Sequence, residues 1–530
     1  AARAAATAAS DAGLMLRSPA HRLWHLSAGH HDLRDHRLRP DCGIMRAMKT
    51  LLLPLLLVLA GSVAADPAGA AIDFSPCELK APGAFSGPEA DCATLTVPVN
   101  HAQPDGATIQ LRLARITARS QQPQADPIVF LAGGPGQSAL ESWSQIAGAY
   151  RQLLAERHVY LLDQRGTGGS HPLRCELPDP LDPTIASADA EQLRQQASDC
   201  LAELDVDVRH FGTRDYLADL ELVRQRLGVA QWNLVGGSYG TRVALSYVQA
   251  HPEALRSVVL DGVVPQHVAL GQDHGANLEA ALAAQFARCH ADDACAETFN
   301  DLNQTLAALR ERYRQVPTTV LVRDPRSHRS LEVPLNHDTL AGVVRLYAYS
   351  PETAALLPLL LNQALEGDPR PLLAQAVMIY SQIEEIISHG MQLSVICGED
   401  HPWLEPDAGA DTLIGADLVE LMTAQCAVWP HRRAPAEFKQ PVDSDLPMLL
   451  LSGEFDPVTP PAYAERALAT LGNARHLVAP GQGHIVQTRG CMPRLMTAFI
   501  RDAGFDDLDS DCLEQLSPLP FFLDFNGGQP

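Results

Sequence analysis

The sequence predicts an α/β fold: a mostly parallel central sheet flanked by helices, with a large helical insertion near its middle. Three observations carry this. Short apolar runs alternate with helix-spaced segments, the pattern of successive βαβ units. Several apolar runs end in glycine-rich loops, among them "LAGGPGQS", "DQRGTGGS" and "LVGGSYG". The pattern fades near residue 266 and resumes near 440, leaving helical texture between.

The elements follow in order. "TLTVPV" (94–99) and "TIQLRLARITA" (108–118) read as strands, the second with the alternation of a half-buried strand. Ile128 to Leu131 form a short, wholly apolar run before a Gly-Pro-Gly loop, and residues 158–162 repeat the design. Continuous apolar runs mark strands buried on both faces. In "DYLADLELVRQRLG" (215–228), Leu217, Leu220, Val223 and Leu227 share one helical face and Gly228 is the stop. "QWNLVGG" is the next strand, "TRVALSYVQAHP" a helix ending before Pro252, and "LRSVVLDG" (255–262) a further strand. The first part of the core thus spans 66–265 and the helical cap insertion 266–440, where "ANLEAALAAQFARC", "LNQTLAALRERYRQ" and "PETAALLPLLLNQALEG" are helical. The core resumes over 441–512 with a strand in "LPMLLLSGEFDPVTP", a helix at "PAYAERALATLG", a strand at "ARHLVAP", a loop at "GQGHIVQ" and a last helix at "MPRLMTAFIRDAG". Residues 513–530 are expected to be an irregular tail.

Before the core, Met48 to Ala65 ("MKTLLLPLLLVLAGSVAA") has the basic start, apolar centre and small-residue end of a secretory signal peptide. Residues 1–47 are aperiodic and read as an upstream extension outside the fold. The chain carries a formal net charge of −23; residues 1–65 hold eight Lys/Arg against four Asp/Glu, so the exported chain would stand at −27. Such a surface repels nucleic acid and anionic membranes and can attract a cation such as a free peptide amine. A soluble, exported monomer, periplasmic or secreted from a bacterium, is expected, with no stable membrane insertion after signal cleavage. Ten of the eleven cysteines lie beyond that segment. In an exported chain an even count favours disulfides, and neighbouring couples suggest Cys77–Cys92, Cys175–Cys200, Cys289–Cys295, Cys397–Cys426 and Cys491–Cys512. No CxxC or HExxH motif points to a metal, and no cofactor is expected.

The chemistry centres on Gly236-Gly237-Ser238-Tyr239-Gly240, a G-x-S-x-G pattern between a predicted strand and a predicted helix. That context is what a nucleophile elbow needs, since small neighbours let a tight turn lift the hydroxyl above the sheet. A serine needs a base, and the elbow architecture orders its triad Ser, acid, His. Asp456 and His484 each follow a late strand, in that order. Asp261 is a rival acid, and His476 and His251 are rival bases. Loop position at the carboxyl edge of the sheet favours His484. The backbone N–H of Tyr239 and that of Gly134, with Gly133 close behind, are the expected donors to an oxyanion.

At these residues the chain resembles the prolyl-iminopeptidase-like α/β-hydrolases, and more closely their secreted tripeptidyl-aminopeptidase branch. "LAGGPGQS", "DQRGTGGS", "GGSYG", "DPVTP" and "GQGH" stand in that family's order, and "CAVWP" (426–430) looks like the tripeptidyl branch. The resemblance covers roughly residues 75 to 512. It implies a serine exopeptidase acting on peptides with a free N-terminus, with Ser238, Asp456 and His484 as triad and with Asp163 and Arg165 bracing the site floor. Iminopeptidases usually carry His before the G-G-P-G loop; Ala132 stands here, which weakens a strict proline preference. The substrate's ammonium group calls for acidic side chains from the cap. Glu399 and Asp400 are the first candidates, Glu384 and Glu385 the second. The alternative within the fold is a carboxylesterase or lipase, and from another class a catalytically inactive binding protein with a hydrolase fold.

Overall fold

The computed structural model describes residues 71–175, 189–324, 327–374, 377 and 386–527. The segments read as upstream extension and signal peptide, and Glu384 and Glu385, lie outside the described residues.

Among the described residues the main sheet has nine strands in the order β1-β2-β3-β5-β4-β6-β7-β10-β11. Its antiparallel edge is β1 (Ser75–Glu78), β2 (Glu89–Pro98) and β3 (Thr108–Ile116). In β3 the alternate residues Ile109, Leu111 and Leu113 are buried, as the period-two pattern requires. β3 then pairs antiparallel with β5 (Val159–Leu162). From there the sheet is parallel through β4 (Ile128–Leu131), β6 (Trp232–Gly237), β7 (Leu255–Asp261), β10 (Met448–Gly453) and β11 (Ala474–Ala479). Every residue of β4, β5, β6 and β10 is buried, which is why their sequences are apolar runs without alternation.

Two apolar cores clothe the faces of this sheet. One includes residues of the Thr213–Leu227 and Tyr239–Ala250 helices; the other includes residues of the Ala139–Tyr150 and Met492–Asp502 helices. The segment between β7 and β10 divides. Its helices from His274 to Leu365 build a third core of their own, whereas the His389–Glu399 and Asp417–Cys426 helices join the first face of the main sheet. This segment also contains an antiparallel hairpin, β8 (Thr318–Arg323) and β9 (Ser330–Leu335). The hairpin was not read from the sequence, although "TTVLVR" and "SLEVPL" are rich in β-branched residues.

All five expected cysteine couples are joined: Cys77–Cys92, Cys175–Cys200, Cys289–Cys295, Cys397–Cys426 and Cys491–Cys512. Among the described residues, no helix is long and apolar enough to cross a membrane.

Candidate active site

The site lies at the carboxyl ends of β4, β6, β7, β10 and β11. Ser238 joins β6 to the Tyr239–Ala250 helix at φ 53°, ψ −123°, a backbone region that L-residues rarely occupy. Its own N–H donates to the Asp261 carbonyl at 2.8 Å, tying the turn to the end of β7. The flanking glycines are steric requirements. A Cβ on Gly240 would stand 2.2 Å from the Leu131 carbonyl oxygen, and one on Gly236 would stand 2.5 Å from that of Gly240. Strand, turn and helix approach too closely here for any side chain but hydrogen.

Asp456 follows β10 and is buried. One carboxylate oxygen, Oδ1, accepts from the backbone N–H groups of Val458 and Thr459, both at 2.9 Å. The other, Oδ2, lies 2.8 Å from the Thr459 hydroxyl and 2.8 Å from His484 Nδ1. Burial pushes the Asp456 carboxyl up, but the adjacent imidazole and the N–H donors outweigh it and hold the group below its ordinary value. An ionised carboxylate only accepts, so the proton of neutral His484 sits on Nδ1 and Nε2 is left as the base. For His484 burial pulls downward and the Asp456 carboxylate pulls upward; the carboxylate wins, and the imidazole is raised above its ordinary value.

The His484 loop is fixed from two sides. Its backbone N–H donates to the Tyr349 carbonyl at 2.8 Å, and the Tyr349 ring meets the imidazole edge-on, 5.5 Å between centroids. Behind it, the Asp261 carboxylate accepts from Val486 N–H at 2.9 Å and Gln487 N–H at 2.8 Å. The rival acid therefore braces the loop that carries the histidine, while Asp456 holds the ring. Burial pushes Asp261 up to about 6. Of the rival bases, His476 is 3.0 Å from the Ser452 hydroxyl on β10, and His251 is 3.9 Å from Glu253 beyond the far end of its helix.

The G-G-P-G loop packs against the serine: a Cβ on Gly133 would lie 3.1 Å from Ser238 Cβ. The Gly134–Pro135 peptide is cis, and Gly134 has φ 103°. Of the two glycines, Gly133 is the one in contact range of Ser238, with Gly134 the next residue along. Tyr239 is the first residue of its helix, so its N–H has no intrahelical acceptor.

The site floor is braced as the "DQRG" resemblance implies. Asp163 is buried and accepts from the Ser138 hydroxyl (2.6 Å), Leu140 N–H (3.0 Å) and Gly169 N–H (2.9 Å). Arg165, fully buried, forks onto Asp219 at 2.6 and 2.7 Å and donates to the carbonyls of Val99 and His210.

Glu399 and Asp400 are placed otherwise than expected. Asp400 is fully buried and accepts from Arg242 (2.7 and 2.9 Å), Lys439 (2.7 Å) and Leu270 N–H (2.9 Å). Its charge is already met by two internal cations, so it is a structural ion-pair node and not a receptor for an incoming amine. Glu399, at the end of its helix, accepts from the N–H and hydroxyl of Thr213 at 2.6 and 2.7 Å. Thr213 in turn lies 2.7 Å from the Tyr239 hydroxyl, so Glu399 also faces an internal partner, on the inner side of the elbow. The error has a simple origin: in a strongly acidic chain, nothing local distinguishes a carboxylate turned to a cleft from one turned to a buried arginine. Tyr349 was missed for a related reason, since its contact with His484 spans a separation that no local pattern encodes.

The comparisons with known proteins agree with this architecture. A family model for the alpha/beta hydrolase fold matches residues 126–490. The serine protease Hip1 of Mycobacterium tuberculosis is 25% identical over 505 residues, covering 86% of this chain and 94% of that protein. The tripeptidyl aminopeptidase of Streptomyces lividans is 29% identical over 221 residues, 39% of this chain and 40% of its own. The proline iminopeptidase of Aeromonas sobria is 35% identical over 172 residues, 32% of this chain and 36% of its own. With the parallel sheet, the elbow at its edge and the matched length together, the chain belongs to the alpha/beta hydrolase family, among relatives named as a serine protease, a tripeptidyl aminopeptidase and a proline iminopeptidase.

Proposed function

We propose that this protein is an exported serine exopeptidase that cleaves peptides from a free N-terminus, using Ser238, His484 and Asp456 through an acyl-enzyme. The observation that carries the proposal is the 2.8 Å bond between Asp456 and His484 Nδ1, at the same sheet edge that displays Ser238 on its strained elbow. His484 Nε2 takes the serine proton as Oγ attacks the scissile carbonyl, and later gives it to the leaving amine. Asp456 holds the tautomer and stabilises the imidazolium. The N–H groups of Tyr239 and of Gly134 or Gly133 receive the oxyanion, where small residues let a substrate approach the backbone. The aminopeptidase assignment draws on the ordered motif set and on the named activities of the Streptomyces and Aeromonas relatives. Export draws on the five disulfides, bonds that persist in oxidising compartments.

The test is hydrolysis of Ala-Ala-Pro-p-nitroanilide by the purified chain, beside its N-acetylated form and a p-nitrophenyl ester. Cleavage confined to the free amine, and lost in Ser238→Ala, is the expected result. Cleavage of the ester alone would replace the peptidase with an esterase. Silence on all three would leave a binding protein.

A further inference from the structure

Two side chains of the segment between β7 and β10, Arg345 and Tyr349, meet over the His484 side of the site, and His274 lies within electrostatic range of both Arg345 and His484. Tyr349 packs edge-on against the His484 ring, 5.5 Å between centroids, and its hydroxyl accepts from Arg345 Nη2 at 3.3 Å. The Arg345 guanidinium also lies 5.9 Å from the centroid of the Tyr349 ring. Its charge is felt by both His484 and His274, whose imidazoles it disfavours protonating. His274 opens its helix, and its Nδ1 is buried with no hydrogen-bond partner among the described residues.

Two features of this cluster are unusual. The chain has 63 acidic against 40 basic residues, yet Arg345 is half-buried with no carboxylate within ion-pair distance among the described residues. Arg242, Arg165 and Arg157, buried elsewhere in the fold, each have one. Within its electrostatic range stands the His274 imidazole, kept neutral by burial, with an Nδ1 that has no hydrogen-bond partner among the described residues. Buried polar atoms are normally paired and buried cations normally have a counter-ion, so a guanidinium that meets only a hydroxyl among the described residues suits an anion that arrives from outside.

The side of the site matters. The catalytic histidine of an acyl-transfer triad must reach the leaving group, because it returns the proton to the departing amine. Groups that pack on the His484 ring therefore meet the leaving fragment and not the acyl fragment. We infer that Arg345, with the Tyr349 hydroxyl and His274, forms a carboxylate-binding subsite for the leaving fragment, so that the preferred substrates are short peptides whose free C-terminal carboxylate lies close to the scissile bond. This rests on the peptidase reading and deepens it. The carboxylate takes the guanidinium as its counter-ion, and the Tyr349 hydroxyl is positioned to share it. An arylamide leaving group without a carboxylate would miss this contact.

The experiment compares Ala-Ala-Pro-Ala as free acid and as C-terminal amide, under identical conditions. The wild-type chain is expected to favour the acid by roughly 10- to 100-fold in kcat/KM, the range of a charge-assisted pair. Arg345→Gln is expected to bring that ratio close to one, and Arg345→Lys to keep part of it, since an ammonium supplies charge without the planar fork. The ratio is internal to each variant, so a loss of folded protein does not move it. Equal cleavage of acid and amide by the wild-type chain would overturn the subsite. If neither peptide is hydrolysed, the peptidase reading falls separately, and the same ratio is read as Kd by calorimetry on Ser238→Ala. Tighter binding of the acid, abolished by Arg345→Gln, supports the subsite; equal Kd values overturn it.

Discussion

The carboxyl edge of the sheet and the segment from residue 274 to 439 both furnish the candidate site, and they do so by different means. On the sheet edge, position follows from backbone. Ser238, Asp456 and His484 stand where β6, β10 and β11 deliver them, and parallel pairing sets their order in space. The intervening segment contributes Tyr349, and behind the elbow Glu399 meets Thr213, both through tertiary packing that the segment's sequence does not announce. The candidate site is thus displayed by a locally encoded scaffold, and its surroundings are supplied by a segment whose placement depends on long-range packing.

The sharpest way to break this comparison is at the edge itself. Ser238→Ala should lower kcat on a free-amine peptide anilide by roughly 10⁴- to 10⁶-fold, with the melting transition retained. Unchanged activity would remove the elbow from the chemistry altogether. Asp456→Asn should cost about 10⁴-fold, because an amide does not enforce the Nδ1–H tautomer. Asp261→Asn is the control on the same edge. It weakens the two N–H contacts to Val486 and Gln487 and should act mainly on stability, by about 1–3 kcal/mol. If Asp261→Asn proved the more damaging to kcat, the roles of the two acids would have to be exchanged.

These variants also mark what could be read from sequence. The elbow was legible because a steric rule writes it into five residues: Gly236 and Gly240 cannot bear a Cβ where β6 meets its helix. The places of Asp456 and His484 were legible because apolar strands announce themselves and both residues follow one. The cysteine pairing was legible because each partner is near in sequence. Asp261 was noticed as a carboxylate at a strand end, but whether it faced the ring or the loop behind it depended on the path of residues 484–487, where Ile485 takes φ 68°. Glu399 and Asp400 were misread because burial between helices, not sequence spacing, determines which groups a carboxylate meets.

That misreading gives the next test, on the segment's side of the comparison. Asp400→Ala leaves Arg242 and Lys439 facing each other, buried and without their shared counter-ion. The expected loss is about 3–5 kcal/mol of stability, measured by denaturant unfolding. An amine receptor would behave differently: KM for free-amine peptides would rise while the unfolding midpoint stayed in place. The two outcomes separate a structural node from a binding residue.

A last expected effect concerns protons, and it reaches both regions. Glu399 in the segment and Asp261 at the sheet edge are pushed up by burial, to about 7 and about 6. A carboxyl group whose pKa is higher folded than unfolded binds its proton more tightly in the native state. Its contribution is complete below the unfolded value and is lost as pH rises through the folded one. Between pH 5 and pH 8 the melting temperature should therefore fall, with each displaced pKa unit standing for about 1.4 kcal/mol. Glu399→Gln, which does not titrate, should flatten the upper part of that decline and leave the lower part to Asp261. Activity should move oppositely across the lower half of the same range, because the base must be neutral. With His484 raised by Asp456, kcat/KM should climb with pH through a midpoint above the ordinary imidazole value and drop tenfold per unit beneath it. A kinetic midpoint below that value would mean that the Asp456–His484 pair does not govern the base. A kinetic limb unchanged in Glu399→Gln, beside an altered melting profile, would place the segment's carboxylate in the fold and the edge's pair in the chemistry.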